Sequence, residues 1–183
     1  MVDYFKLDEV LESFRIIIDT REQNTPKASS RYKSFGVPTE KATLDFGDYC
    51  ANITLPSGRP MLDTSSRIQP ACVIERKMSL DELAACFTRS RDRFQKEFER
   101  AAAAGSRVFL LVEGGSWEAI QNHRYRSKYN PKAMQASLVA WSVRYNMVPV
   151  FCKPETSGSI IREILYRDIK ERLEQGEYGL VNN

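Results

Sequence analysis

A chain of 183 residues, 42% of them hydrophobic and 28% charged, is long enough to bury one full core and has the composition of a globular domain. Its net charge of +3 is too small to name a nucleic-acid partner by itself. No apolar run approaches the ~20 residues of a membrane span, the N-terminus has no signal-peptide core, and four cysteines without a CxxC pair argue against a zinc ribbon and for reduced thiols. The expected setting is therefore intracellular, the cytoplasm if the protein is prokaryotic or viral, with no membrane partner.

In chain order, residues 1–14 read as an arm or short helix, with Leu7, Val10, Leu11 and Phe14 at helical spacing. Ile16-Ile17-Ile18 is a β-branched run of the kind that forms a strand buried on both faces, ending at Asp19-Thr20-Arg21-Glu22. A helix is expected over 27–35, a second strand over 37–46, a turn or bulge at Gly47-Asp48-Tyr49 and a third strand over 50–55. Pro56 to Pro60 is a turn, 61–70 is irregular, and 71–77 is a strand leading out of the core into Glu75-Arg76-Lys77. Asp48 and Glu75 are expected on neighbouring strands of one antiparallel meander.

Side chains alternate along a strand, so Glu75 and Lys77 face one way and Arg76 the other. Taken alone, the triplet also fits a solvated charge pair on an edge strand. Ser79 with Glu82 is a capping box. The stripe Leu80, Leu83, Ala84, Phe87, Phe94, Phe98, Ala101 then predicts one long helix ending near Gly105. Asp81 falls in its first turn, as a partner of the helix dipole or as a site residue. An apolar strand over 107–113, a short helix over 116–121, a helix opened by Asn130-Pro131, a strand over 148–152 and a helix over 156–175 complete a domain spanning 15–176, followed by a tail, 177–183. The class is α/β, a mixed sheet flanked by helices.

The charges gather at strand ends. Asp19, Glu22, Asp48 and Glu75 with Lys77 converge on one edge of the expected sheet, and hard oxygen ligands in that number suit Mg²⁺ or Mn²⁺. Such a carboxylate–lysine set is what a metal-dependent phosphodiesterase needs. Basic residues occur in two places: Arg89, Arg91, Arg93, Lys96 and Arg100 along the long helix, and Arg124, Arg126, Lys128 and Lys132 interleaved with Tyr125 and Tyr129. The second stretch holds no acid; it suits a phosphate backbone and unstacked bases, or is a solvated loop. The lone His123 cannot supply a histidine metal site, and no P-loop points to a nucleotide cofactor.

The segments IIDTRE, FGDY and IERKMSLD, in that order, resemble the XPF-family nuclease domain, whose signature is DxRE, GD and ERKxxxD. The resemblance extends over roughly residues 15–175. It implies the restriction-endonuclease-like fold, with Asp19, Glu22, Asp48 and Glu75 binding divalent metal. Lys77 would place or deprotonate the attacking water, and Arg76 and Arg21 would support the site or contact phosphate. Asp81 would lie behind the metal ligands, and Arg91 or Arg93 would match the arginine of the following helix. The implied function is a structure-specific endonuclease cutting one DNA strand near a single-strand junction, in a flap or fork, to leave 5′-phosphate and 3′-hydroxyl ends. The alternatives are a catalytically silent DNA-binding subunit, and a restriction-like or junction-resolving nuclease sharing only the fold. The gap between Asp48 and Glu75 is longer than usual in that family, which makes 56–69 an insertion. The family's helix-hairpin-helix module has no counterpart in this sequence, so a partner supplying it, as homodimer or heterodimer through the C-terminal helices, is a further expectation.

Overall fold

A computed structural model describes residues 7–177; residues 4–6 of the expected first helix and 178–183 of the expected tail lie outside them. A six-stranded sheet organises the fold. Its strands are β1 (Arg15–Asp19), β2 (Thr39–Ala42), β3 (Tyr49–Asn52), β4 (Cys72–Lys77), β5 (Arg107–Glu113) and β6 (Met147–Cys152), in the spatial order β2-β1-β3-β4-β5-β6. β3 runs antiparallel to both β1 and β4, and every other neighbouring pair is parallel. This is the mixed α/β sheet expected, and Asp48 and Glu75 do lie at adjacent antiparallel strands.

The meander itself is corrected. β2 is shorter than 37–46 and pairs parallel with β1 at the far edge, so β1, the intervening helix α2 (Pro26–Phe35) and β2 form a crossover unit. A parallel neighbour needs such a crossover, and α2 supplies it. The 61–70 stretch is pinned to the sheet: Leu44 bridges Ile68, and the Asn52 amide both donates to the Leu62 carbonyl (3.0 Å) and accepts from its N–H (3.0 Å).

Two cores form because the strands alternate. Ile17, Val73, Leu110 and Val112 face a layer containing α3 (Leu80–Phe87), α4 (Arg91–Ala103) and α6 (Pro131–Tyr145). Ile16, Ile18, Ile74 and Leu111 face α1 (Leu7–Leu11), α2 and α7 (Ser157–Glu174). On that alternation Glu75 and Lys77 belong to the first side and Arg76 to the second. The apolar stripes of α6 (Met134, Leu138, Trp141, Tyr145) and α7 (Ile161, Leu165, Ile169, Leu173) are both core.

The single long helix expected after Ser79 is two helices. The Thr88 hydroxyl bonds back to the Ala84 carbonyl (2.8 Å), and residues 88–90 form a turn before α4 begins. The apolar stripe passes through the break because Phe87 and Phe94 are seven positions, two helical turns, apart. Periodicity therefore could not reveal it. The predicted caps form: Ser79 Oγ accepts from the Glu82 N–H (3.2 Å), Glu82 reaches back to the Met78 N–H (2.7 Å), and Asn130 accepts from Lys132 (2.9 Å) and Ala133 (3.2 Å). A five-residue helix, α5 (Trp117–Gln121), follows β5. Among the described residues no helix is long and apolar enough to cross a membrane.

Candidate active site

The glycine before Asp48 makes the site. Gly47 has φ +74°, and a Cβ there would lie 2.2 Å from Val73 Cγ2 and 3.2 Å from the Ile74 carbonyl. Only glycine lets the backbone take that turn while pressed against β4. Asp48 is then stitched between two strands: its N–H donates to the Ile74 carbonyl (2.8 Å), its carbonyl accepts from the Asp19 N–H (2.9 Å), and its Oδ2 accepts from the Arg76 N–H (2.7 Å).

Glu75 and Lys77 share a face, as period two requires, and the Lys77 ammonium donates to Glu75 Oε1. At 5% and 9% exposed they are buried, on an interior strand, which overturns the reading of a solvated pair on an edge. Lys77 also stands 5.0 Å over the Phe94 ring. Burial raises the Asp48 carboxyl to about 6. Burial, and then the neighbouring Asp48, push Glu75 well above the usual carboxylate range. Burial opposes the Lys77 charge, yet Glu75 and then Cys86 and Asp48 outweigh it and hold the ammonium above its ordinary value.

Arg76 points to the opposite side into a closed ring. It donates to Glu22 (3.2 Å) and to Glu113 (3.4 Å), and Arg31 donates to the same two carboxylates (3.3 Å each). The Tyr49 hydroxyl adds a hydrogen bond to Glu22. Asp19, 1% exposed, accepts from the Arg21 N–H (2.8 Å), the Arg21 guanidinium (2.6 and 3.2 Å) and the Leu44 N–H (2.8 Å).

Asp19, Arg21, Glu22, Asp48, Glu75, Arg76 and Lys77 all line one cleft of about 730 Å³. The sequence-level constellation is thus brought together, but its four acids are unequal. Asp19 and Glu22 are each engaged by arginine, and among the described residues no group of three or more His, Cys, Asp or Glu is arranged to hold a metal. Asp48 Oδ1 and Glu75 Oε2 accept no hydrogen bond among the described residues, and no arginine side chain engages either carboxylate; Glu22 Oε2 is also without one, but its Oε1 is held by two arginines and Tyr49. A donor set of two crowded carboxylates with a free oxygen each fits Mg²⁺ or Mn²⁺, which are commonly held by one or two carboxylates with substrate phosphate and water.

Of the helix arginines, Arg93 lines the cleft with Lys96 and Arg100. Arg91 instead donates to the Phe87 carbonyl (3.4 Å) and lies 5.8 Å over the Trp141 ring. Arg89 lies at the α3–α4 turn, beside a separate depression. Arg124, Arg126 and Lys128 are exposed on the loop between α5 and α6. Asp81 does not line the cleft; its carboxylate accepts from the Arg126 (2.9 Å) and Ser127 (2.7 Å) N–H groups of that loop. The residues that sequence reasoning missed are Arg31, Glu113 and Glu97, which also lines the cleft and accepts from the Gly47 N–H (3.3 Å). Glu113 carried one signal, as an acid closing the apolar strand next to β4.

A mixed sheet with acids and a lysine at the ends of its inner strands defines a restriction-endonuclease-like nuclease fold. The family model of the ERCC4 domain matches residues 18–162, and the chain belongs to that family as an XPF-type nuclease domain. XPF from Aeropyrum pernix is similar in structure, with TM-score 0.60 and 22% identity over 92% of this chain and 66% of that one. XPF from Aeropyrum pernix in complex with DNA gives TM-score 0.57 and 23% identity over 87% of this chain and 67% of that one. The chain thus spans about two thirds of the length of these proteins. No curated protein matches it by sequence.

Proposed function

We propose that this domain is a divalent-metal-dependent endonuclease that hydrolyses one strand of DNA near a junction between duplex and single strand. The observation that carries the reading is the buried Asp48–Glu75 pair, crowded together with Lys77 on the wall of an open cleft. Membership of the ERCC4-domain family and the likeness to an XPF in complex with DNA support it.

Asp48 and Glu75 would hold the cation, which when bound supplies Lewis-acid polarisation of the scissile phosphate. Lys77, whose ammonium donates to Glu75, would orient or deprotonate the attacking water and offset negative charge on the phosphate. The water oxygen bonds to phosphorus as the bond to the 3′ oxygen breaks. The water's proton passes to solvent in the open cleft, and the 3′ oxygen takes one up. Arg93, Lys96 and Arg100 line one wall as phosphate contacts, and Arg89 extends the same basic surface. Pairing with a like or unlike chain through the C-terminal helices would use Val139 and Val143, the exposed large apolar residues of α6. Sedimentation of the wild type against Val143→Asp measures it, and an unchanged monomer in both excludes self-pairing.

The test is cleavage of end-labelled single-strand, duplex, flap, fork and four-way DNA with Mg²⁺, Mn²⁺ or chelator, alongside Glu75→Ala and Lys77→Ala. The expected outcome is metal-dependent cutting near the junction that both substitutions abolish. Cutting in chelator, or cutting retained by both variants, overturns the mechanism. Binding without cutting of any substrate transfers the protein to the silent-subunit class.

A further inference from the structure

Asp81 lies four positions after Lys77, in the first turn of α3, and the site just described does not use it. Both of its backbone hydrogen bonds reach across to the loop between α5 and α6, where Oδ1 accepts from Arg126 (2.9 Å) and Ser127 (2.7 Å). That loop is built. His123 has φ +50°, its Nε2 meets the Ser127 carbonyl (2.8 Å), and its ring lies 4.5 Å from the Tyr125 ring. The Tyr125 hydroxyl donates to the Tyr129 carbonyl (2.7 Å), and both tyrosines pack against the core. The aromatic side of the loop faces inward, while Arg124, Arg126 and Lys128 face solvent, with Arg126 95% exposed. The Asp81–Arg126 ion pair (3.5 Å) is therefore solvated and contributes little; the two N–H bonds to a carboxylate are the stronger link. Because the Ser79–Glu82 cap seats α3 directly after β4, Asp81 connects the cationic loop to the strand end that carries Glu75 and Lys77.

We infer that Asp81 is a positioning residue: it holds the 123–130 loop so that Arg124, Arg126 and Lys128 grip the phosphodiester backbone at a set distance from Glu75 and Lys77. The inference rests on the nuclease reading and adds to it a determinant of where along the strand the cut falls. Holding the loop needs an acceptor oxygen and no charge. Asparagine keeps that oxygen and alanine removes it, whereas a helix-dipole or metal-side role would be lost in both.

The experiment uses a fluorescein-labelled 3′-flap DNA with the wild type, Asp81→Asn, Asp81→Ala and the triple variant Arg124→Ala/Arg126→Ala/Lys128→Ala. Affinity is titrated against salt in chelator, and cut positions are mapped in Mg²⁺ at nucleotide resolution. Asp81→Ala is expected to bind about tenfold more weakly, to lower the salt slope by about 2 and to scatter the cut positions. Asp81→Asn is expected to stay within about threefold of the wild type with its cut position kept. The triple variant should lose at least as much affinity and salt slope as Asp81→Ala; its charges are on the surface, so it keeps the test valid if Asp81→Ala fails to fold. Equal losses in Asp81→Asn and Asp81→Ala overturn the inference, as does wild-type affinity and salt slope in the triple variant. A wild type that neither binds nor cuts the flap overturns the nuclease reading instead; a wild type that does both, with Asp81→Ala unchanged, overturns this assignment alone.

Discussion

The two faces of β4 carry charges in opposite states. On the Arg76 side, two arginines and two carboxylates close a ring in which every member bonds to both members of opposite sign. On the Glu75 side, two carboxylates share one ammonium, and burial works against all three. A matched ring satisfies the charges it buries, as a framework must. Two carboxylates crowded round one ammonium in a cleft are a standing cost, and such costs are kept where a ligand or a reaction relieves them. One strand, by alternating its side chains, thus sets a matched ring on one side and a crowded carboxylate pair on the other, and both line the same cleft.

The largest effect that would sharpen this contrast is on activity. Lys77→Met is expected to cut flap DNA about 10²–10⁴-fold more slowly than the wild type while keeping the native circular-dichroism spectrum. Near-wild-type cutting would remove the chemical role of that face. Next, Arg31→Ala, which leaves Glu22 and Glu113 with one arginine, should lower stability by about 3–5 kcal/mol in urea melts. A loss of the size of a surface pair, ~1 kcal/mol or less, would show that the ring is not the framework. Gly47→Ala is expected to cost about 1–3 kcal/mol in the same melts, since the new methyl overlaps Val73 and the turn holds a positive φ.

The smallest expected change in stability has the opposite sign. Asp48→Asn keeps an oxygen for the Arg76 N–H and removes a buried charge beside Glu75, so it should raise the metal-free melting temperature by a few degrees while abolishing cleavage. In the wild type, Mg²⁺ or Mn²⁺ at about 100 times its Kd should add about 2.7 kcal/mol, and in Asp48→Asn little or nothing. A destabilised Asp48→Asn, or equal metal stabilisation in both, would break the comparison between the two faces.

Most of the architecture was legible because the signals were local. The β-branched run 16–18, the capping box at Ser79, the N-cap at Asn130 and the apolar stripes each reflect forces acting within a few residues. The α3–α4 break escaped because a turn of three residues preserves the helical phase of the apolar stripe. The placement of β2 escaped because no periodicity says which neighbour a strand takes. At the site, the order of Asp19, Gly47-Asp48 and Glu75–Lys77 pointed to the right strand ends. It did not tell Asp48 and Glu75, which no arginine side chain engages, from Asp19 and Glu22, which arginines hold, nor show that Asp81 turns away from the cleft to a loop.

By itself the sequence determined the family signature, the turn at Gly47-Asp48, and the shared face of Glu75 and Lys77, since a strand's period of two is a property of its own backbone. Only the tertiary structure decided that this face is buried, that Arg31 and Glu113, 82 positions apart, close the ring with Arg76 and Glu22, and that Asp81 clasps residues 126 and 127. Those contacts join distant segments through the order of the strands and the packing of helices on both sides of the sheet, and no local spacing encodes that order.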